Sequence, residues 1–305
     1  MTKRPNSRVN LDRAIERLFG PYERSTETRS VLANAVVGQM LQGAVVKGGS
    51  GLKFRYGLAR TRATMDLDAA CRGDIAQFAE TLGRRLAEGW CGFTGVVAKR
   101  PPATPRDVPA RYVMQPYAVR LMYNGHSWCT VSLELGFNEL GDADEADAVL
   151  SGDIADLFVR LGFPEPDPVP LMKREYQIAQ KLHGLTEPGS RRVRDLIDLQ
   201  LVAENPEPDL AGAGRLCRRL FSFRRMQPWP PRVEKGVDWE ETYEAANVRH
   251  GVARSLDEAV AWANELVGKL DEASRERLAP PTSSPPPLRA GAALPSPAAA
   301  RRFRT

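Results

Sequence analysis

The sequence predicts an α/β domain, a mixed sheet with flanking helices, followed by a mainly α-helical domain and a disordered tail. Three observations lead there. Short β-prone runs alternate with helically spaced apolar residues up to about residue 163, the apolar period turns helical from about Met172 onward, and the composition changes abruptly at Ala279. A length of 305 residues, 42% of them hydrophobic, suits two domains with sizeable cores. The expected divisions are 1–163, 164–278 and 279–305.

Residues 8–19 and 24–43 have helical spacing, with Leu11, Ile15 and Leu18 on one stripe of the first. Ala44 to Lys47 is short and β-prone; Gly48-Gly49-Ser50 interrupts it, and a helix follows with Leu52, Phe54 and Leu58. Met65 to Ala69 reads as a second strand. A helix from about Asp74 to Ala87 places Ile75, Phe78, Ala79 and Leu82 on one face. Phe93 to Ala98 is strand-like. Tyr112 to Tyr123 and Ser127 to Phe137 flank Asn124-Gly125, whose tolerance of positive φ suits a two-residue type I′ hairpin. The Pro-rich run Gly162 to Pro168 is the natural joint. Helical spacing then covers 172–185, 191–203, 209–222, 239–249 and 255–271. The stretch Ala279 to Thr305 holds seven of the 24 prolines among Ser, Ala and Arg, and cannot bury enough surface to order itself.

Charge location says more than its sum. Four arginines and no acid lie beyond Ala279, so removing them from the net +5 leaves +1 on residues 1–278. Glu139 to Asp156 is acidic without one base, whereas arginines gather at 55, 60 and 62, at 191, 192 and 194, and along 215–232. Each basic cluster reads as a solvated face or as a phosphate track. The longest apolar stretch, Leu32 to Val46, is broken by Asn34, Gly38, Gln39, Gln42 and Gly43, short of the ~18 residues a membrane span requires. The first residues lack the apolar core of a secretion signal, so a cytoplasmic protein with no membrane contact is expected. Cys71, Cys91, Cys129 and Cys217 have no paired spacing and only three histidines to assist them, which argues against zinc and for buried small hydrophobes.

Asp66 and Asp68 are two positions apart in the second expected strand, so both carboxylates share a face while Met65 and Leu67 share the other. Like charges so close are costly unless a cation lies between them, and Mg²⁺ with phosphate ligands is the usual cation; two solvated acids on an exposed face would show the same spacing. Glu134 points with Thr130 and Ser132 and is a candidate third acid. Gly48, Gly49 and Ser50 at a strand-to-helix turn offer N–H groups and a hydroxyl to phosphates, although a plain tight turn needs the same glycines. The turn, Arg60 and Arg62, and the acidic strand together form a stronger signal than any one of them.

Val46-Lys47-Gly48-Gly49-Ser50 followed by Arg62-Ala63-Thr64-Met65-Asp66-Leu67-Asp68 resembles the first motif of the AbiEii/MenT nucleotidyltransferase toxins, in the DNA polymerase β-like nucleotidyltransferase superfamily. Gln177 to Gly184 is similar to that family's lysine-bearing helix, Arg194-Asp195-Leu196-Ile197-Asp198-Leu199 to its Arg-Asp-x-x-Asp helix, and Gln227 to Arg232 to a further segment. The resemblance covers roughly residues 30–265. It implies a nucleotidyltransferase fold in which Gly48, Gly49, Ser50 and Arg62 bind the nucleotide and Asp66 and Asp68 bind Mg²⁺. It further implies that Lys181 meets the triphosphate and Asp198 is catalytic, with Asp195 and Arg194 in support. Thr64, just before the acids, is a candidate phosphorylation site. The implied reaction moves NMP from an NTP, a pyrimidine one by resemblance, to the 3′ end of tRNA, with a neighbouring antitoxin as regulator. A small-molecule nucleotidyltransferase would use the same first motif, and a non-enzymatic nucleotide- or RNA-binding module would retain its shape.

Overall fold

A computed structural model describes residues 3–19, 22–103, 113–204, 208–247 and 254–276. In chain order its elements are α1 (Arg8–Phe19), α2 (Tyr22–Met40), β1 (Ala44–Lys47), α3 (Gly48–Tyr56), β2 (Leu67–Cys71), α4 (Ile75–Glu88), β3 (Phe93–Lys99), β4 (Gln115–Tyr123), β5 (His126–Phe137) and β6 (Ala146–Val149). There follow α5 (Gly152–Arg160), β7 (Val169–Met172), α6 (Arg174–Leu185), α7 (Arg194–Glu204), α8 (Leu210–Arg224), α9 (Trp239–Asn247) and α10 (Leu256–Glu276). The strands form one mixed sheet in the order β3-β4-β5-β2-β1-β7-β6. β1 runs antiparallel to β2 and parallel to β7, while β2 runs parallel to β5.

Local chemistry accounts for the element ends. Asp74 caps α4 by accepting from the Gln77 N–H at 2.8 Å. Asn124 and Gly125 both take positive φ, which closes the β4–β5 hairpin as a type I′ turn. Two hydrophobic clusters result. One packs α1, α2, α4 and α5 against the sheet, and the other is formed by α6 to α10. α3 joins them, because Phe54 is buried in the first and Leu52 in the second. The N-terminus of α3 therefore stands at the junction of the sheet and the helical half.

Four local expectations are corrected. β2 begins at Leu67 rather than Met65: its neighbour β1 ends at Lys47, opposite Asp68, and leaves Met65 and Asp66 unpaired with it, both exposed. The two glycines open α3 instead of preceding it. The Pro-rich joint leads into a seventh strand of the same sheet, so the sheet extends past residue 163. The acidic stretch, read only as charge, contains β6 and the first half of α5. The expected disordered tail, 279–305, lies outside the described residues. Among the described residues no helix is long and apolar enough to cross a membrane. Cys71 and Cys217 are buried, Cys91 and Cys129 partly so, and all four are free thiols.

Asp142, in the acidic stretch, is fully buried and accepts from the Glu139 N–H at 2.9 Å and from Gln180 Nε2 at 2.7 Å. Burial pushes its carboxyl up to about 6. Its unfolded value is about 4, so between these limits the folded state holds more protons than the unfolded one, and stability falls as pH rises through that window. Two units correspond to about 2–3 kcal/mol. The Asp142→Asn variant should lose this slope, as thermal midpoints measured from pH 4 to 7 would show; an unchanged slope would assign it to other groups.

Candidate active site

Three strands set the acidic row. Lys47 on β1 pairs with Asp68 on β2, and Asp68 pairs with Glu134 on β5, so the three side chains stand side by side on one face of the sheet. Asp66, two residues before Asp68, adds its charge to both acids. Burial raises the Asp68 carboxyl and Asp66 raises it further, against lowering by Lys47, Lys181 and Arg192. Glu134 is raised by burial, then by Asp68 and Asp66. The backbone brings these groups close: Gly48 has φ +62°, and a Cβ there would overlap the Asp68 carboxylate. A Cβ on Gly49 would lie 2.9 Å from the Thr64 hydroxyl.

Ser50 takes a different place from a phosphate ligand at the surface. It is 1% exposed, donates to the Asp66 carbonyl at 2.6 Å and accepts from Asn34 Nδ2 at 3.1 Å. Its hydroxyl thus holds the chain that presents Asp66.

The helical half supplies the counter-charge. Lys181 on α6 is buried and donates to Asp195 Oδ1 at 3.0 Å and Asp198 Oδ2 at 2.8 Å, both on α7. Arg62, from the segment before β2, grips Asp198 with Nε at 3.0 Å and Nη2 at 2.9 Å. Arg192 Nε donates to Asp195 Oδ2 at 2.6 Å. Burial disfavours a charged Asp198, but Lys181 and Arg62 outweigh it and hold the carboxyl below its ordinary value. Burial likewise opposes the Lys181 charge, and Asp195 and Asp198 overcome it. Three cations and two carboxylates leave this network with an excess positive charge. Arg62 ties it to the acidic row, because the segment that carries Arg62 and Asp66 runs directly into β2, which carries Asp68. Arg194 is exposed at the start of α7, outside this network.

Between the two halves lies a cleft of about 430 Å³. Its sheet side presents Lys47, Gly48, Asp68 and Glu139, and its helical side Gln177, Lys181, His183, Arg192 and Arg224. Glu139 and Arg224 close one end with a bidentate ion pair at 2.9 and 2.5 Å. His183 is buried against Phe221 and kept neutral by burial, by Arg224 and by Arg192, its pKa lowered to about 3. Sequence reasoning gave Lys47 no role, although the motif contains it; a lysine at the last position of the strand that leads to the Gly-Gly turn was the available signal. The arginine cluster along 215–232 is partly spent within the fold, since Arg218 pairs with Asp271 and Arg224 with Glu139.

The donor set suits Mg²⁺. Asp66, Asp68 and Glu134 offer hard oxygen ligands whose mutual repulsion the protein only partly offsets. Among the described residues no three carboxylate, His or Cys side chains gather about one point, so these acids would need phosphate oxygens and water to complete a coordination shell.

A solved structure shares the fold. MenT4, a nucleotidyltransferase toxin from Mycobacterium tuberculosis, aligns with a TM-score of 0.50 and 20% identity over 88% of each chain. JHP933 from Helicobacter pylori aligns with a TM-score of 0.44 and 17% identity, over 84% of this chain and 96% of that one. No curated protein matches the chain. The sequence does match the family described as nucleotidyl transferase AbiEii toxin, type IV toxin–antitoxin system, over residues 30–283. That span is most of the sequence, and the chain belongs to the AbiEii family of nucleotidyltransferase toxins.

Proposed function

We propose that this nucleotidyltransferase moves NMP from an NTP, with CTP or another pyrimidine nucleotide preferred, to the 3′-terminal hydroxyl of tRNA and so blocks translation in the cytoplasm. One observation carries the reading: Arg62 links the stretch of chain bearing Asp66 and Asp68 to the Lys181–Asp198 pair, so the acidic row and the cationic network serve one cleft. In the reaction the hydroxyl oxygen bonds to the α-phosphorus, the α–β bridging P–O bond breaks, pyrophosphate leaves, and the hydroxyl proton passes to a carboxylate or to water. Mg²⁺, held by Asp66 and Asp68 with Glu134 beside them, would polarise the α-phosphate.

The remaining work falls to the chain itself. Gly48 and Gly49 open α3 and aim N–H groups and a helix N-terminus at the phosphates. Lys181 neutralises charge on the departing pyrophosphate. Asp198 is buried behind Lys181 and Arg62 and acts by positioning them, with Asp195 doing the same for Lys181 and Arg192. Exposed arginines at 191, 194, 219 and 225 suit RNA phosphates. The family description supports a cognate antitoxin as partner.

The test is incubation with total tRNA, Mg²⁺ and each labelled NTP in turn. Label should appear on the tRNA 3′ end, most from CTP or UTP, and vanish with EDTA. Transfer to small molecules but never to tRNA would overturn the acceptor assignment, and transfer without any divalent ion would overturn the metal.

A further inference from the structure

We propose that Lys47 is a second phosphate-binding ammonium, holding the nucleotide's triphosphate from the sheet wall of the cleft. The inference rests on the nucleotidyltransferase reading of that cleft and adds a residue to it.

Four lysine and arginine side chains line the cleft: Lys47, Lys181, Arg192 and Arg224. Three are engaged by carboxylates, Lys181 with Asp195 and Asp198, Arg192 with Asp195, and Arg224 with Glu139. Lys47 alone has no carboxylate within 4.0 Å among the described residues. Asp68 and Glu134 attract the Lys47 ammonium through space, but no carboxylate of the described residues holds it in an ion pair, so it can turn to an incoming polyanion without breaking one.

Position favours the same residue. Lys47 immediately precedes Gly48, whose N–H group opens α3, so its ammonium and the helix N-terminus belong to one stretch of backbone. Its row across the sheet contains Asp68 and Glu134. The ammonium reaches over β2 to β5, where a Cβ added to Gly136 would lie 3.1 Å from Nζ. Gly136 thus leaves the room in which the ammonium sits. Its φ is outside the left-handed region, so alanine fits its backbone, and among the described residues the new methyl would crowd the flexible end of Lys47, with the Ala69 carbonyl at an ordinary 3.7 Å.

The experiment measures binding of inorganic tripolyphosphate and of CTP, each with Mg²⁺, by calorimetry on the full chain, alongside thermal melting. The Lys47→Met variant should melt like the parent and bind tripolyphosphate about 10- to 100-fold more weakly, the range for one charge-assisted contact. Lys47→Arg should recover most of that loss. Gly136→Ala keeps the lysine but displaces its ammonium, and should weaken binding by a smaller factor. In transfer assays the loss should appear in KM for the NTP more than in kcat. Parent-like Kd values for Lys47→Met would overturn the proposal while leaving the transferase reading intact if the parent still labels RNA. A parent that binds neither ligand would overturn both.

Discussion

Asp68→Asn should reduce nucleotide transfer by about a thousandfold while leaving the protein as stable as the parent or more so. Asparagine has nearly the same shape, so the close packing against Gly48 survives. The charge is what disappears. A Lewis-acid metal contributes several kcal/mol to the transition state, and a loss of about 4 kcal/mol corresponds to roughly three powers of ten. Stability should move the other way. Burial and Asp66 raise the Asp68 carboxyl above its ordinary value, which means that the ionised form is disfavoured in the folded state at neutral pH. Removing it relieves that cost, a trade between activity and stability common at catalytic sites. Transfer within tenfold of the parent, or a clearly lower melting temperature, would refute this account.

Asp198→Ala should be the most damaging change to the fold among the site residues. It strips Arg62 of its bidentate partner and Lys181 of one of two carboxylates, with Lys181 buried and Arg62 largely so. Breaking a buried pair by removing one partner costs about 3–5 kcal/mol because the other charge stays behind. A fall in melting temperature of roughly 10 °C is expected for a protein of this size. Transfer should fall as well, since both cations lose their fixed positions. Asp195→Ala should cost less, because Arg192 is 57% exposed at its side chain and can turn to water. Equal melting temperatures for Asp198→Ala and the parent would show that the network contributes no stability.

Much of the architecture was legible because its signals are local. The Asn124-Gly125 hairpin, the helix starting near Asp74 and the five helices after Met172 each follow from residues within a few positions of one another. Elements with weak local signals were missed. β6 and β7 have four residues each, too few for a period, and β7 exists because β1 offers it an edge. α5 was hidden by the acids around it. The start of β2 also depended on a partner, since β1 ends opposite Asp68.

The sequence by itself determined which residue types the site would use: glycines where a strand turns into a helix, two neighbouring acids, and a lysine and two acids on later helices. It determined the order of elements that carries them, because capping, turn geometry and apolar period act over short stretches of chain. Only the tertiary structure decided how these groups are paired. It set Glu134 beside Asp68 through a parallel pairing of strands distant in the chain, turned Arg62 and Lys181 onto Asp198, buried Ser50 under Asp66, and placed Lys47 facing the cleft. The physical reason is that charge pairing depends on distances of a few ångströms between segments up to 136 residues apart. Strand register and the packing of two cores fix those distances, and neither can be read from a local pattern.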